Sequence, residues 1–139
     1  MRVSRTIASR DPRDMSAGLQ LVDHLQALVE IYARLDNMNG AVKLLQDALD
    51  VSKALSQHYP GNADLKRRVA GSLANLGNVH SRMGDVAVAR QRLNEARAVM
   101  AELRAGDPAN QEYASDADVF DKLLIALDRP TADRRPSTR

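Results

Sequence analysis

Apolar residues recur every three or four positions along most of this chain, the spacing of one face of an α-helix. From Asn62, the positions Leu65, Val69, Leu73, Leu76, Val79 and Met83 keep that spacing until Gly84-Asp85 interrupts it. Val88, Ala89, Leu93, Ala96, Val99, Met100 and Leu103 then carry it to a stop at Gly106-Asp107-Pro108. The pattern predicts two amphipathic helices joined by a turn. The stretches from Asp14 to Arg34 and from about Asn39 to Gln57 predict a preceding pair of the same kind. A last helix is expected from Asn110 to about Leu127, with Val119, Phe120, Leu123, Leu124 and Leu127 along one stripe.

These pairs are copies of one another. Displaced by 48 positions, Val3, Ile7 and Pro12 fall on Val51, Leu55 and Pro60, and the next copy supplies Val99, Leu103 and Pro108. Leu25, Leu28, Tyr32 and Arg34 fall on Leu73, Leu76, His80 and Arg82, while Ala41, Leu45 and Ala48 fall on Ala89, Leu93 and Ala96. Each proline ends a helix, because it lacks the N–H the ladder needs and restricts the residue before it. Asp14, Asn62 or Asn110 stands two residues later, where a side-chain oxygen can cap the next helix. The predicted organisation is a partial repeat over 1–11, full repeats over 12–59 and 60–107, a capping helix over 110–127, and a disordered basic tail over 128–139. Pro130, Pro136 and the Arg/Ser/Thr content of that tail are the reason for the last assignment.

With the repeat in hand, the residues resemble the tetratricopeptide repeat family. Its signature places a bulky residue, then Leu-Gly, then an aromatic, at the positions of Leu73, Leu76-Gly77 and His80. Gly84-Asp85 matches the turn, and Ala89, Leu93 and Ala96 match the second helix. The first copy is more degenerate, with Val29 for the glycine and Asp36-Asn37 at the turn. A standard unit has about 34 residues, so this one is longer by roughly 14. Units this long are similar to arrays appended to bacterial serine/threonine kinases and large signalling ATPases. The resemblance implies an all-α solenoid of antiparallel helix pairs wound into a right-handed superhelix. Gly77, Ala89 and Ala96 are expected at close helix approaches.

Composition narrows the function. The 139 residues hold no Cys, no Trp and a single Phe. The absence of cysteine removes disulfides and thiolate metal sites together and fits a reducing, cytoplasmic setting. A formal charge of +2 does not argue for nucleic acid, and no apolar run approaches the length of a membrane span. Met1 to Arg10 carries three arginines and no acid, which imitates a transit peptide, but the repeat accounts for it as the end of a helix.

The chemically capable residues are dispersed. His24, His58 and His80 occupy three different repeat positions without metal-ligand spacing, and His80 stands where the family has a packed aromatic. Asp116, Asp118 and Asp121 spread over different faces of a helix, two of them where carboxylates complement the helix dipole. Lys66-Arg67-Arg68 reads as a solvated basic face without the interleaved aromatics that stack on bases. There is no phosphate-binding glycine loop and no nucleophile–base motif, so the sequence indicates no enzyme, no cofactor and no metal.

The resemblance instead implies a protein or peptide partner in the concave groove lined by the first helix of each unit. Carried over residue by residue, the groove positions are Gln26, Glu30, Ala33 and Arg34 in one unit, and Ala74, Asn75, Asn78, Ser81 and Arg82 in the next. Lys122 comes from the last helix. Glu30 stands where the carboxylate-clamp subset needs Asn, and Val119 and Leu123 where it needs basic residues, so a chaperone C-terminus is not the expected ligand. The expected function is a non-catalytic binding scaffold, the C-terminal part of a longer signalling protein. The alternative is a self-association module, a weak homodimer through apolar surface left on the helix from Asp14 to Arg34.

Overall fold

The structure is a computed structural model that describes residues 15–129. Five α-helices follow one another: α1 (Met15–Arg34), α2 (Met38–His58), α3 (Ala63–Arg82), α4 (Val86–Gly106) and α5 (Gln111–Leu127). The described residues contain no strand. The expected opening partial repeat and the tail beyond Arg129 lie outside the described residues. Each helix packs most extensively on its neighbours in sequence, α1 on α2, α2 on α3, α3 on α4 and α4 on α5. The product is an all-α stack of hairpins.

The helix starts are set by asparagine. The Asn37 side chain accepts the Gly40 N–H at 3.0 Å, Asn62 accepts that of Leu65 at 3.1 Å, and Asn110 accepts that of Tyr113 at 3.1 Å. These bonds satisfy donors that the first turn leaves without intrahelical partners. At the α1–α2 turn Asp36 adopts φ 59°, and at the α3–α4 turn its counterpart Gly84 adopts φ 85°.

The interior forms two clusters that interlock. One gathers Leu21, Val22 and Leu25 of α1 with Leu44, Ala48, Val51 and Leu55 of α2, and takes Leu65 from α3. The other fills the space among α3, α4 and α5, and takes Leu45 and Leu49 from α2. Close approach is set where predicted: a Cβ on Gly77 would lie 2.7 Å from Leu93 Cγ and 3.2 Å from the Ala89 carbonyl oxygen. Along the apolar stripe of α1, Leu21 is 8% exposed and Val22 0%. Exposure falls instead at the end of that helix, on Ile31 and Leu35.

α5 is the last described helix of the stack. It carries Asp118, Asp121 and Ile125 where α3 carries Ala70, Leu73 and Gly77, the positions through which α3 receives α4. Arg97 reaches Asp121 at 3.7 Å and Arg90 reaches Asp128 at 2.6 Å, while Ile125 is 60% exposed beside them.

Candidate functional site

Helices α1, α3 and α5, the first helix of each successive unit, line an open groove of about 730 Å³. Its floor is α3. Asp64, Arg67 and Arg68 stand at the start of that helix, Gly71 and Ala74 follow, and Asn75 and Asn78 stand farther along. The spacing of three and four residues keeps all of them on one side of the helix. α1 adds Leu19, and α5 adds Asp116 and the apolar Val119, Phe120 and Leu123.

The charged end of the groove is internally satisfied. Arg67 Nε donates to Asp116 Oδ2 at 2.7 Å and its Nη2 to Oδ1 at 3.3 Å, while Nη1 donates to Glu112 Oε2 at 3.1 Å. The Asp116 hydrogen bond, opposed in part by burial, holds the guanidinium above its already high range. Arg68 donates to Asp23 of α1 at 2.7 Å, and Lys66 donates to Glu102 of α4 at 3.1 Å. Three consecutive cations thus reach three different helices, because successive helical residues point about 100° apart. Arg67 and Arg68 tie the first helices of the three units together across one end of the groove.

Its middle is bare on one side and apolar on the other. A Cβ added at Gly71 would meet nothing within 4 Å, so this glycine is not required by packing as Gly77 is. Beside it Val119 is 49% exposed, a large aliphatic surface left open to the groove. Asn75 and Asn78 are exposed on α3 and offer amide donors and acceptors.

Of the residues the sequence assigned to a groove, Asn75 and Asn78 line this one, with Ala74 buried between them and the core. Arg82 follows Asn78 by one helical turn and is exposed, while Ser81 is half-buried. Gln26 is half-buried on α1, and Glu30 and Arg34 are exposed near its end, outside the lining. Lys122 also lies outside the lining, its ammonium 3.0 Å from Asp118 on the same helix. The sequence reading missed Arg67, Arg68, Asp116 and the open Gly71. Tracing the stripe back from Asn75 by threes and fours leads to Gly71, Arg68 and Asp64.

Other chemically capable groups have structural partners. His80 is mostly buried, with Nδ1 3.5 Å from Asp85 Oδ2, and the ring of exposed His58 meets Tyr59 edge-on at 4.8 Å. His24 is exposed. No group of three or more His, Asp or Glu is placed to hold a metal ion among the described residues. No helix among them is long and apolar enough to cross a membrane. Tyr113 and Phe120 are each 7% exposed, so neither offers a face on which a base could stack.

Comparison with known proteins agrees with this geometry where it speaks. A family model described as tetratricopeptide repeat matches residues 69–103, from α3 through the turn into α4. α3 begins six residues before that window, and Arg67 and Arg68 lie in this added segment. No curated protein and no solved structure matches the chain.

Proposed function

We propose that this chain is a non-catalytic scaffold that holds a protein segment in the groove formed by α1, α3 and α5. One observation carries the reading: a single continuous groove draws its lining from the first helices of three successive units. A stack of helix pairs makes such a surface without a dedicated pocket, and an elongated ligand fits it better than a compact one. The tetratricopeptide match over 69–103 supports the same reading, since arrays of that family serve as protein-binding scaffolds. Its place in a larger signalling protein, working in the cytoplasm, is the reading that the long repeat unit and the absence of cysteine support. The groove is the interaction site. Asn75 and Asn78 hold the backbone of the partner.

The test is a comparison of two double variants. Asn75→Ala with Asn78→Ala should weaken capture of a partner by about 1–3 kcal/mol, the scale of unmet hydrogen bonds at an interface. Lys43→Ala with Lys53→Ala alters exposed positions of α2 and should leave capture unchanged. Equal losses from both would mean that binding is not confined to the groove, and a loss from the lysine pair alone would mean that it follows overall charge.

A further inference from the structure

α5 turns different residues to its two sides. Val119, Phe120 and Leu123 line the first-helix groove, whereas Ala117, Asp121 and Ile125 border a separate open depression of about 470 Å³, shared with Arg97, Ala101 and Arg104 of α4. The counterparts of these α5 residues on α3 are Val69, Leu73 and Gly77, which belong to the face that α4 covers. The depression is therefore a helix seat, with Ile125 exposed in it. Its charges are laid out symmetrically. Arg97 meets Asp121 at 3.7 Å in the middle. Arg104 lies seven residues beyond Arg97 on α4, and Asp128 seven beyond Asp121 on the antiparallel α5. The two thus stand at opposite ends, each about 10 Å from the middle at 1.5 Å per residue. Arg104 makes no ion pair among the described residues, and Asp128 gives one carboxylate oxygen to Arg90. The apolar features mirror each other in the same way. Ile125 protrudes one turn to one side of Asp121, and the small Ala101 and Ala117 leave a hollow one turn to the other.

We propose that this face binds a second copy of the chain across a two-fold axis beside Asp121, with the two α5 helices antiparallel. A surface pairs with itself when a half-turn carries each of its features onto a complement. Here the half-turn carries Ile125 of each copy onto the hollow between Ala101 and Ala117 of the other, and Arg104 onto Asp128. The two Arg97–Asp121 pairs meet at the axis, where each carboxylate gains a second guanidinium and no net charge is buried. Residues 130–139 contain no Leu, Ile, Val, Met or Phe, so they supply no apolar side chain to the seat. The first-helix groove, on the other side of α5, stays open in both copies.

Sedimentation velocity of the intact chain, from micromolar to near-millimolar concentration, should show a reversible monomer–dimer equilibrium. Ile125→Asp should raise the dissociation constant by about tenfold or more, as loss of a central apolar anchor does. Ile31→Asp, at the exposed end of α1, should leave it unchanged. Arg104→Asp should weaken the dimer by about tenfold, and adding Asp128→Arg should restore it, because each exchanged pair joins the two copies. The chain has no cysteine, so a single introduced thiol reports its own neighbour. Asp121→Cys should form an intermolecular disulfide on mild oxidation, since a residue beside a two-fold axis lies within bonding reach of its own copy. Ile31→Cys should not. The crosslink tests the same geometry should Ile125→Asp lose its helical circular dichroism. A chain that stays monomeric throughout overturns the proposal. So does a dimer that survives Ile125→Asp, that yields to Ile31→Asp, that the double charge exchange fails to restore, or that crosslinks through Ile31→Cys alone.

Discussion

The α1–α2 pair and the α3–α4 pair are built on one pattern but fill it differently. Where α3 has Gly77 pressed against Leu93 and Ala89, α1 has Val29, only partly buried between the two clusters. α1 ends with Tyr32, whose ring covers the space that a Cβ on Gly40 would need, and the second pair has the smaller His80 and the larger Val88 at the same two positions. The N-cap differs as well: Asn37 bonds the Gly40 N–H, whereas Asp85 makes no side-chain cap bond and lies near His80. Volume removed on one helix is restored on its partner. The repeat keeps backbone geometry and lets the contacts drift in compensating pairs. Nine residues of α3 are buried against four of α1, so the second pair is the better-packed centre of the stack.

The strongest way to break this comparison is to give the second pair the residue of the first. Gly77→Val drives a branched side chain into Leu93 and into the fixed Ala89 carbonyl, and should cost about 2–3 kcal/mol by urea denaturation. Unchanged stability would show that α3 and α4 can separate as freely as α1 and α2. A smaller change runs the other way. Asp36→Gly places the residue of the second turn in the left-handed position of the first and should stabilise by about 0.5–1 kcal/mol. A loss of stability there would mean that the Asp36 side chain contributes more than its backbone strain takes away. The smallest effect concerns the ties between units. Arg67→Ala removes bonds to two carboxylates and Arg68→Ala a bond to one, so Arg67→Ala should be the worse by about 0.5 kcal/mol at low salt. In molar salt the two melting temperatures should converge, since partly exposed pairs are screened. A gap that survives the salt would assign the difference to packing.

The helices were legible because their punctuation is local. Pro60 and Pro108 stop α2 and α4, and Asn62 and Asn110 start α3 and α5, each by chemistry confined to a few neighbouring residues. Gly77 was legible through the family resemblance, which expects a close helix approach at that position. Lys66-Arg67-Arg68 was not, because a run in sequence fans out on a helix. What looked like one solvated face became three ties to α4, α5 and α1. Arg90 and Arg97 pair with Asp128 and Asp121 of the next helix. Glu112 and Asp116 of α5 could not be paired with Arg67, 45 and 49 positions earlier, until the stacking of units was known. Gly71 escaped notice because its sign is an empty space above the helix, which no periodicity records.

The interlocking of the two clusters bears on how such a chain changes length through descent. Every extensive contact joins helices adjacent in sequence, and the units entered at Pro60 and Pro108 each bring a capping asparagine, Asn62 and Asn110. Leu65 reaching back to the first cluster, and Leu45 and Leu49 reaching forward to the second, form a joint whose two sides are related by the repeat itself. A duplicated unit spliced in at Pro60 brings both halves of that joint with it, so the array can grow by whole copies without redesigning any interface. Each such copy adds one more first helix, and one more set of side chains to read a partner, to the wall of the groove.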